Sequence, residues 1–263
     1  MQIITLTTDF GLADWFVGTM KGIIVGVNPR GSIIDITHDI SPGDIRAGAF
    51  ALAASCRFFP KGTIHVAVVD PGVGSHRKAI AVQTANYFFV GPDNGVLSWA
   101  LRQEKIKTIR ALESKEYFLH PISSTFHGRD IFAPVAAHLA RGVSISKLGP
   151  PLKEFVRLPW PQPARSRNRV AGEVIYIDHF GNGITNLDNK LLPESKQTSC
   201  EIQGNKRQWL CPLRSFYQAV PPKKPVAVMG SSGFLEIGVN GGSAEKLLGL
   251  KTGSRVVLAR KAV

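Results

Sequence analysis

The chain has 263 residues, 44% hydrophobic and 19% charged, with a formal net charge of +13. That length suits one large domain or two smaller ones, and the composition is that of a globular chain with a real core. No apolar run reaches the roughly 18 residues needed to span a bilayer, which excludes a transmembrane helix. The start, Met1-Gln2-Ile3-Ile4-Thr5, lacks the basic and apolar regions of a signal peptide, so a cytoplasmic location is expected. Cys56, Cys200 and Cys211 are odd in number and form no Cys-x-x-Cys pair. They are expected to be buried, inert thiols rather than a disulfide framework or a zinc site. The Lys and Arg residues are spread along the chain, the densest group being Arg165, Arg167 and Arg169, with no aromatic RNA-binding signature. A basic surface is therefore expected rather than a nucleic-acid partner.

Residues 3–8 are an apolar, β-branched run ending at Asp9, which reads as a buried strand. Phe16, Met20, Ile23, Ile24 and Val27 follow at helical spacing, closed by Pro29. Ser32–Thr37 reads as a second strand. Asp44 is an N-cap for a helix whose buried stripe is Ile45, Ala49, Leu52 and Cys56. Thr63–Val69 is the next strand, after the turn Pro60-Lys61-Gly62. This strand–helix alternation predicts an α/β domain with a mainly parallel sheet. Further strands are expected near Ala79–Gln83 and Tyr87–Val90, then a turn at Pro92-Asp93-Asn94-Gly95. A helix is expected over Asp130–Ala140, with Pro134 in its first turn and Gly142 after its end.

The segment Pro159-Trp160-Pro161-Gln162-Pro163 fits neither a helix nor a central strand. We divide the chain into an α/β domain over 1–158, a proline-rich linker over 159–169 and a mostly β domain over 170–263. The last should hold short strands at Ala171–Ile177, Gln197–Ile202, Arg207–Leu210, Pro225–Met229, Phe234–Val239 and Arg255–Ala259, with one helix at Ala244–Leu248.

Four polar clusters lie at strand ends or in glycine-containing loops, where open α/β sheets bind ligands. In Thr7-Thr8-Asp9-Phe10-Gly11, with Asp14 shortly after, Asp9 either accepts hydrogen bonds from a ribose diol or caps the next helix. In Asp70-Pro71-Gly72-Val73-Gly74-Ser75-His76-Arg77, a tight loop brings Arg77 back toward Asp70, either as a site or as a structural ion pair. The loop is neither a Walker loop nor a Gly-x-Gly-x-x-Gly dinucleotide motif. In Ser123-Ser124-Thr125-Phe126-His127-Gly128-Arg129-Asp130, His127 sits just before a helix, whose N-terminus favours negative charge. Asp178-His179-Phe180-Gly181-Asn182 and Ser231-Ser232-Gly233-Phe234-Leu235-Glu236 offer carboxylates, an amide and aromatics, read either as purine contacts or as ordinary turns. No metal is expected, because no His or Cys pair stands at ligand spacing.

Taken in order, these clusters, with Gly91-Pro92-Asp93-Asn94-Gly95 and Leu235-Glu236-Ile237, resemble the S-adenosyl-L-methionine (SAM) hydroxide adenosyltransferases over essentially the whole chain. The fluorinating and chlorinating SAM enzymes are relatives of that family. The resemblance implies an N-terminal α/β domain, a C-terminal barrel-like β domain and a homotrimer with active sites between the first domain of one subunit and the second of its neighbour. It implies SAM as substrate, with no cofactor, and adenosine and L-methionine as products. Asp70, Arg77 and His127 match the family's water-handling triad, which the halogenating relatives lack. Asp9 matches its ribose-binding Asp. Asn182, Ser231, Glu236 and the backbone near Val239 match its adenosine and methionine contacts, and Asp14, Asp178 and Phe180 of the same clusters are taken as further substrate-binding candidates. Gly230-Ser231-Ser232-Gly233 falls where the family varies. A SAM-dependent halide transferase and a non-catalytic SAM or adenosine sensor are the alternatives. A positive chain does not attract a cationic sulfonium at long range, so such a ligand needs a local anionic site.

Overall fold

The structure is a computed structural model and describes residues 2–166, 169–191, 198–204 and 207–260. It divides into two compact units, one running to Pro159 and the other starting at Trp160.

The first unit contains β1 (Ile3–Thr8), α1 (Phe16–Val27), β2 (Ser32–Thr37), α2 (Ile45–Ser55), β3 (Ile64–Val68), β4 (Ala79–Thr84), β5 (Phe88–Pro92), α3 (Ser98–Leu101), β6 (Ile106–Ala111) and α4 (Ala133–Ala140). Its sheet has the order β2-β1-β3-β5-β4-β6. Strands β2, β1, β3 and β5 are parallel, and β4 runs antiparallel to both of its neighbours. Every residue of β3 is buried, as its unbroken apolar run requires of a central parallel strand. Helices α1 and α4 pack together and share a core with β1 and β3 through Met20, Ile24, Val135, Leu139, Leu6 and Val66. The carboxyl ends of β1 and β3 lead into the Asp9 and Asp70 loops.

The Asp44 carboxylate accepts the Ala47 N–H at 2.9 Å and starts α2, as the sequence predicts. Helix α4 begins later than expected. Residues Gly128–Phe132 form a π-helical turn, and the α-helix starts at Ala133. Pro134 has no N–H to give to the Asp130 carbonyl, which accepts instead from the Leu119 N–H at 2.8 Å. The helix ends at Ala140, with Arg141 as its cap and Gly142 beyond it at φ +89°. The N–H groups of Gly142 and Val143 close onto the carbonyls of Leu139 and His138 at 2.9 and 3.0 Å. Strand β6 has no counterpart in the sequence reading. It lies at the sheet edge, buries Ile109 and Ala111, leaves Lys107 exposed and half-buries Arg110, with no clean alternation to mark it.

The second unit contains β7 (Ala164–Arg165), β8 (Arg169–Ile177), β9 (Gly183–Asp188), β10 (Thr198–Gly204), β11 (Arg207–Arg214), β12 (Pro225–Met229), β13 (Phe234–Val239), α5 (Ala244–Leu248) and β14 (Arg255–Arg260). Strands β14-β10-β11-β12-β13-β9-β8 follow one another, and the β8–β14 pairing closes them into a seven-stranded barrel. β7 pairs with β8. The barrel interior is filled by residues such as Val174, Leu187, Ile202, Leu235, Ile237 and Leu258. Strand β9 was not expected, because Gly183-Ile184-Thr185-Asn186-Leu187-Asp188 reads as polar. Its Thr185 and Asn186 are nevertheless buried. Thr185 donates to the Leu235 carbonyl at 2.8 Å, and Asn186 donates to the Pro161 carbonyl at 2.9 Å. The proline-rich segment lies along this unit, with Trp160 stacked at 5.4 Å from Phe234. Gln197 of one expected strand and residues 167–168 of the expected linker lie outside the described residues.

All three cysteines are buried and free. Burial pushes the Cys56 thiol up to about 11 and Cys211 up to about 12, and raises Cys200, which faces Cys211 across β10 and β11, as well. These are inert thiols. No described helix is long and apolar enough to cross a membrane.

His65 on β3 is fully buried against Phe59, Tyr87 and Phe89, with the Thr5 hydroxyl 2.8 Å from its Nδ1. Burial lowers its pKa from 6.5 to about 4. The unfolded chain therefore takes up a proton that the folded one refuses. Stability present above pH 6.5 should be lost progressively as the pH falls toward 4, by roughly 3 kcal/mol in all. Urea unfolding of the wild type and of His65→Phe at pH 7 and pH 4.5 checks this. The variant should lose less stability on acidification than the wild type.

Candidate active site

Three of the sequence-predicted residues meet at one point. Asp70 follows β3, and the loop after it turns back so that Arg77 reaches its carboxylate. Arg77 Nε donates to Asp70 Oδ1 at 3.0 Å, and Nη2 donates to Oδ2. The same Nη2 lies 2.8 Å from His127 Nδ1. A guanidinium has donors and no acceptor, so His127 Nδ1 is the acceptor and the ring hydrogen resides on Nε2. Arg77 also stacks 5.4 Å from the Phe132 ring centroid. The pair is well shielded, the Asp70 and Arg77 side chains being only 4% and 10% exposed.

The two loops that carry this cluster touch through backbone. Gly74 has φ +76°, and a Cβ there would stand 2.3 Å from the Ser124 carbonyl oxygen. Asn94 braces the end of β3 by donating to the Val69 carbonyl at 2.8 Å, which gives the Pro92–Gly95 turn its purpose. Asp130 is fully buried and pins the His127 loop: its Oδ2 accepts the Ser123 N–H at 2.8 Å, and its Oδ1 accepts from Arg129 at 2.5 Å. Burial alone would raise the Asp130 carboxyl, but the Arg129 and Ser123 hydrogen bonds outweigh it and hold its pKa down.

His127 is shifted below the ordinary histidine range. Burial is the largest cause and the Arg77 charge the next, with Asp70, Asp130 and a bond to the Ser123 backbone opposing. The ring is thus neutral at neutral pH, in agreement with its role as acceptor.

A cavity of about 520 Å³ opens beside the cluster, lined by Asp70 and His127 and also by Asp9, Phe10, Phe16 and Phe126. The three phenylalanine rings form a contiguous apolar wall, with centroids 5.1 to 5.9 Å apart. Asp9 presents its carboxylate there while Oδ2 accepts the Gly43 N–H at 2.8 Å. Asp14 is exposed in the loop between β1 and α1 and does not line the cavity.

The second unit has its own cluster, described separately. Asp178 Oδ1 accepts the N–H groups of Phe180 and Asn182 at 3.0 and 2.8 Å, and Oδ2 accepts the Asn182 amide at 2.9 Å. This turn leaves the Phe180 ring 74% exposed. Glu236, buried on β13, accepts the Tyr217 hydroxyl at 2.6 Å. Its pKa is raised by burial and by Asp178, against the Tyr217 bond. Val239 is buried at the end of β13, and Ser231 is exposed in the preceding turn. Among the described residues, no three of His, Cys, Asp and Glu gather as a metal site.

Residues 4–149 match the family model of the SAM hydroxide adenosyltransferase N-terminal domain, and residues 172–257 that of the C-terminal domain. The chain belongs to the SAM hydroxide adenosyltransferase family. It is 39% identical over 256 residues, 96% of each chain, to a Salinispora tropica protein named (R)-S-adenosyl-L-methionine hydrolase. It is 37% identical over 267 residues, 98% of this chain and 100% of the other, to a Thermus thermophilus protein of the same name. Fluorinases match at lower identity, 28% for that of Nocardia brasiliensis over 97% of this chain and 95% of the other. The crystal structure of an uncharacterized conserved protein from Thermotoga maritima superposes with a TM-score of 0.92 at 36% identity, over 97% of this chain and 100% of that one.

Within this SAM hydroxide adenosyltransferase fold, several site residues escaped the sequence reading. Phe16 read as part of a helical apolar stripe and Phe10 and Phe126 only as members of the polar loops, and only the cavity shows that they form its wall. Tyr217 stands 19 positions before Glu236 with no local motif between them.

Replacing Gly74 with Ala should force the Ser124 backbone away and cost about 1–3 kcal/mol. Urea unfolding measures the cost. An imidazole NMR titration should show His127 returning toward the ordinary histidine range as Arg77 withdraws. A variant with unchanged stability and unchanged titration would mean that the two loops are not held by this contact.

Proposed function

We propose that this protein hydrolyses SAM at the ribose C5′, releasing adenosine and L-methionine. The observation that carries the reading is the Asp70–Arg77–His127 contact beside a cavity that also displays Asp9 and three aromatic rings. The names of the relatives support the same substrate.

Water, or the hydroxide derived from it, attacks C5′ as the C5′–S bond breaks, and the electron pair of that bond stays on sulfur. The leaving group is a neutral thioether, so no general acid is required. The proton lost from water passes to Asp70 or to solvent. The task of the protein is to hold the nucleophile in line, and orientation of that kind supplies up to roughly 7–11 kcal/mol in well-ordered reactions. Arg77 brings a positive charge that favours hydroxide. Asp70 has lone pairs left after binding Arg77 and takes up a water hydrogen. Neutral His127 fixes the guanidinium plane through Nδ1.

Asp9 is assigned to the ribose diol and the phenylalanine wall to the apolar faces of the nucleoside. Asp14, Asp178, Phe180, Asn182, Ser231, Glu236 and Val239 are assigned to the remaining substrate contacts. The assembly in this reading is a homotrimer, as the family resemblance implies, with the reaction in the cytoplasm, with no cofactor, and with neither a membrane nor a nucleic acid as partner.

Mass spectrometry of purified protein with SAM in ¹⁸O-labelled water, with and without chloride, tests the reading. Labelled adenosine with methionine is expected. A 5′-chloro nucleoside would mean halide transfer, and unchanged SAM would mean a sensor or another substrate.

His127→Ala should reduce kcat by about 10²-fold or more while adenosine still binds. Asp70→Ala should do the same and also lower stability by about 3–5 kcal/mol, because it strands a buried guanidinium. Near-normal turnover in both would remove the triad assignment.

The acid limb of the kcat/KM profile should lie below the ordinary histidine pKa of 6.5, since His127 is shifted down and must be neutral to accept from Arg77. A limb above 6.5 would contradict this assignment.

A further inference from the structure

Behind the Asp9 side of the cavity lies a chain of buried polar contacts with no part in the proposed chemistry. Thr8, the last residue of β1, is completely buried. Its Oγ1 accepts the Phe10 N–H at 3.2 Å and lies 2.8 Å from His38 Nδ1. The His38 ring is buried as well, and its Nε2 stands 3.1 Å from Asp35 Oδ1. Asp35 Oδ2 in turn accepts from Lys21 of α1 at 2.5 Å. The Asp35 carboxylate stands beside Nε2 as a charge contact rather than an aligned hydrogen bond, and with the ring hydrogen on Nε2 the Nδ1 atom accepts the Thr8 hydroxyl, whose oxygen is free to accept from Phe10. From the Phe10 N–H through Thr8 to the His38 ring the donors then point one way, and the Asp35 carboxylate beyond the ring accepts from Lys21 on its other side. Burial would raise the Asp35 carboxyl, but the Lys21 and His38 contacts outweigh it and keep its pKa low.

The same two segments are joined twice more. The His38 carbonyl accepts the Gly11 N–H at 2.8 Å, and Asp9 accepts the Gly43 N–H at 2.8 Å. Asp9, Phe10 and Gly11 are thus each tied to residues 38–43, and Asp9, Phe10 and Gly43 all line the cavity. Among the described residues, no hydrogen bond of this network reaches Asp70, Arg77 or His127. Its geometric effect is confined to the wall that displays the Asp9 carboxylate and the Phe10 ring.

We propose that Thr8 and His38, anchored by Asp35, are positioning residues that set the Asp9–Gly11 wall and thereby determine how tightly the cavity holds the nucleoside, rather than how fast its bond is cleaved. The ligand part rests on the nucleoside reading above. Removing the Thr8 hydroxyl leaves a part-buried Phe10 N–H and a buried His38 nitrogen without this partner, a loss large enough to shift affinity measurably.

Three variants of the full chain, Thr8→Val, Thr8→Ser and Asp35→Asn, test it through deuterium uptake over residues 9–15 without ligand, the adenosine Kd, and KM and kcat for SAM. Thr8→Val should raise uptake and weaken adenosine binding about tenfold, with KM rising alike and kcat falling less. Thr8→Ser keeps the hydroxyl and should return close to the wild type. Asp35→Asn, at a half-exposed position, should move uptake and Kd in the same direction by a smaller amount, and it carries the test if Thr8→Val does not fold. Unchanged uptake would overturn the proposal, as would raised uptake with unchanged adenosine affinity or a loss confined to kcat. If the wild type binds neither adenosine nor SAM, the nucleoside reading fails, and the uptake comparison still decides whether Thr8 and Asp35 hold the wall.

Discussion

Arg77 is a cation withdrawn from water, and the first unit is arranged around satisfying it. Its guanidinium lies between the Asp70 carboxylate and the His127 ring, over the face of Phe132. A buried charge without partners costs several kcal/mol, so the loops carrying Asp70 and His127 cannot drift apart independently. The contact joins positions 50 residues apart in the chain. It also decides the chemistry of the histidine, because a donor-only partner leaves Nδ1 no role but acceptance. Backbone approach between Gly74 and Ser124, the Asn94 brace and the Asp130 pin all serve the same geometry.

The charge of the whole chain and that of the cavity differ in sign. The chain carries +13, whereas the cavity region brings together two carboxylates, Asp9 and Asp70, and one guanidinium. Exposed charges further away than about 8 Å are largely screened at physiological salt, while shielded ones are not. A cationic sulfonium is therefore governed by the near groups, and the basic surface sets little beyond its rate of approach. The phenylalanine wall adds to this by displacing water, which strengthens the interactions that remain.

The second unit shows how polar residues become interior ones. Thr185, Asn186 and Glu236 are buried in the barrel, and each has a partner that is distant in sequence or on another strand. Buried polar groups of this kind are tolerated only when satisfied, and the partners come from β13, the proline-rich segment and Tyr217. The Asp178 turn differs, since it is built from residues within four positions of one another, and it leaves Phe180 facing solvent.

Local physics determined what was legible in the sequence. Apolar runs marked β1 and β3, periodicity marked α1, an Asp cap marked the start of α2, and proline and glycine marked the boundaries. Each of these depends on neighbours a few residues away. The Asp70 loop and the His127 loop were recognisable for the same reason, as polar, glycine-containing turns after strands or before a helix. Strands β6 and β9 were not legible. One is an edge strand and the other a polar strand, and both owe their conformation to pairing partners far along the chain. The late start of α4 depended on Leu119 capturing the Asp130 carbonyl. The family resemblance grouped Asp70, Arg77 and His127, but that Arg77 Nη2 donates to His127 Nδ1, that three phenylalanines form a wall, and that Thr8 and His38 stand behind Asp9 could be decided only by the tertiary structure. These are contacts of long sequence separation, and their loop-closure cost is offset only when the sheet and helices have assembled around them.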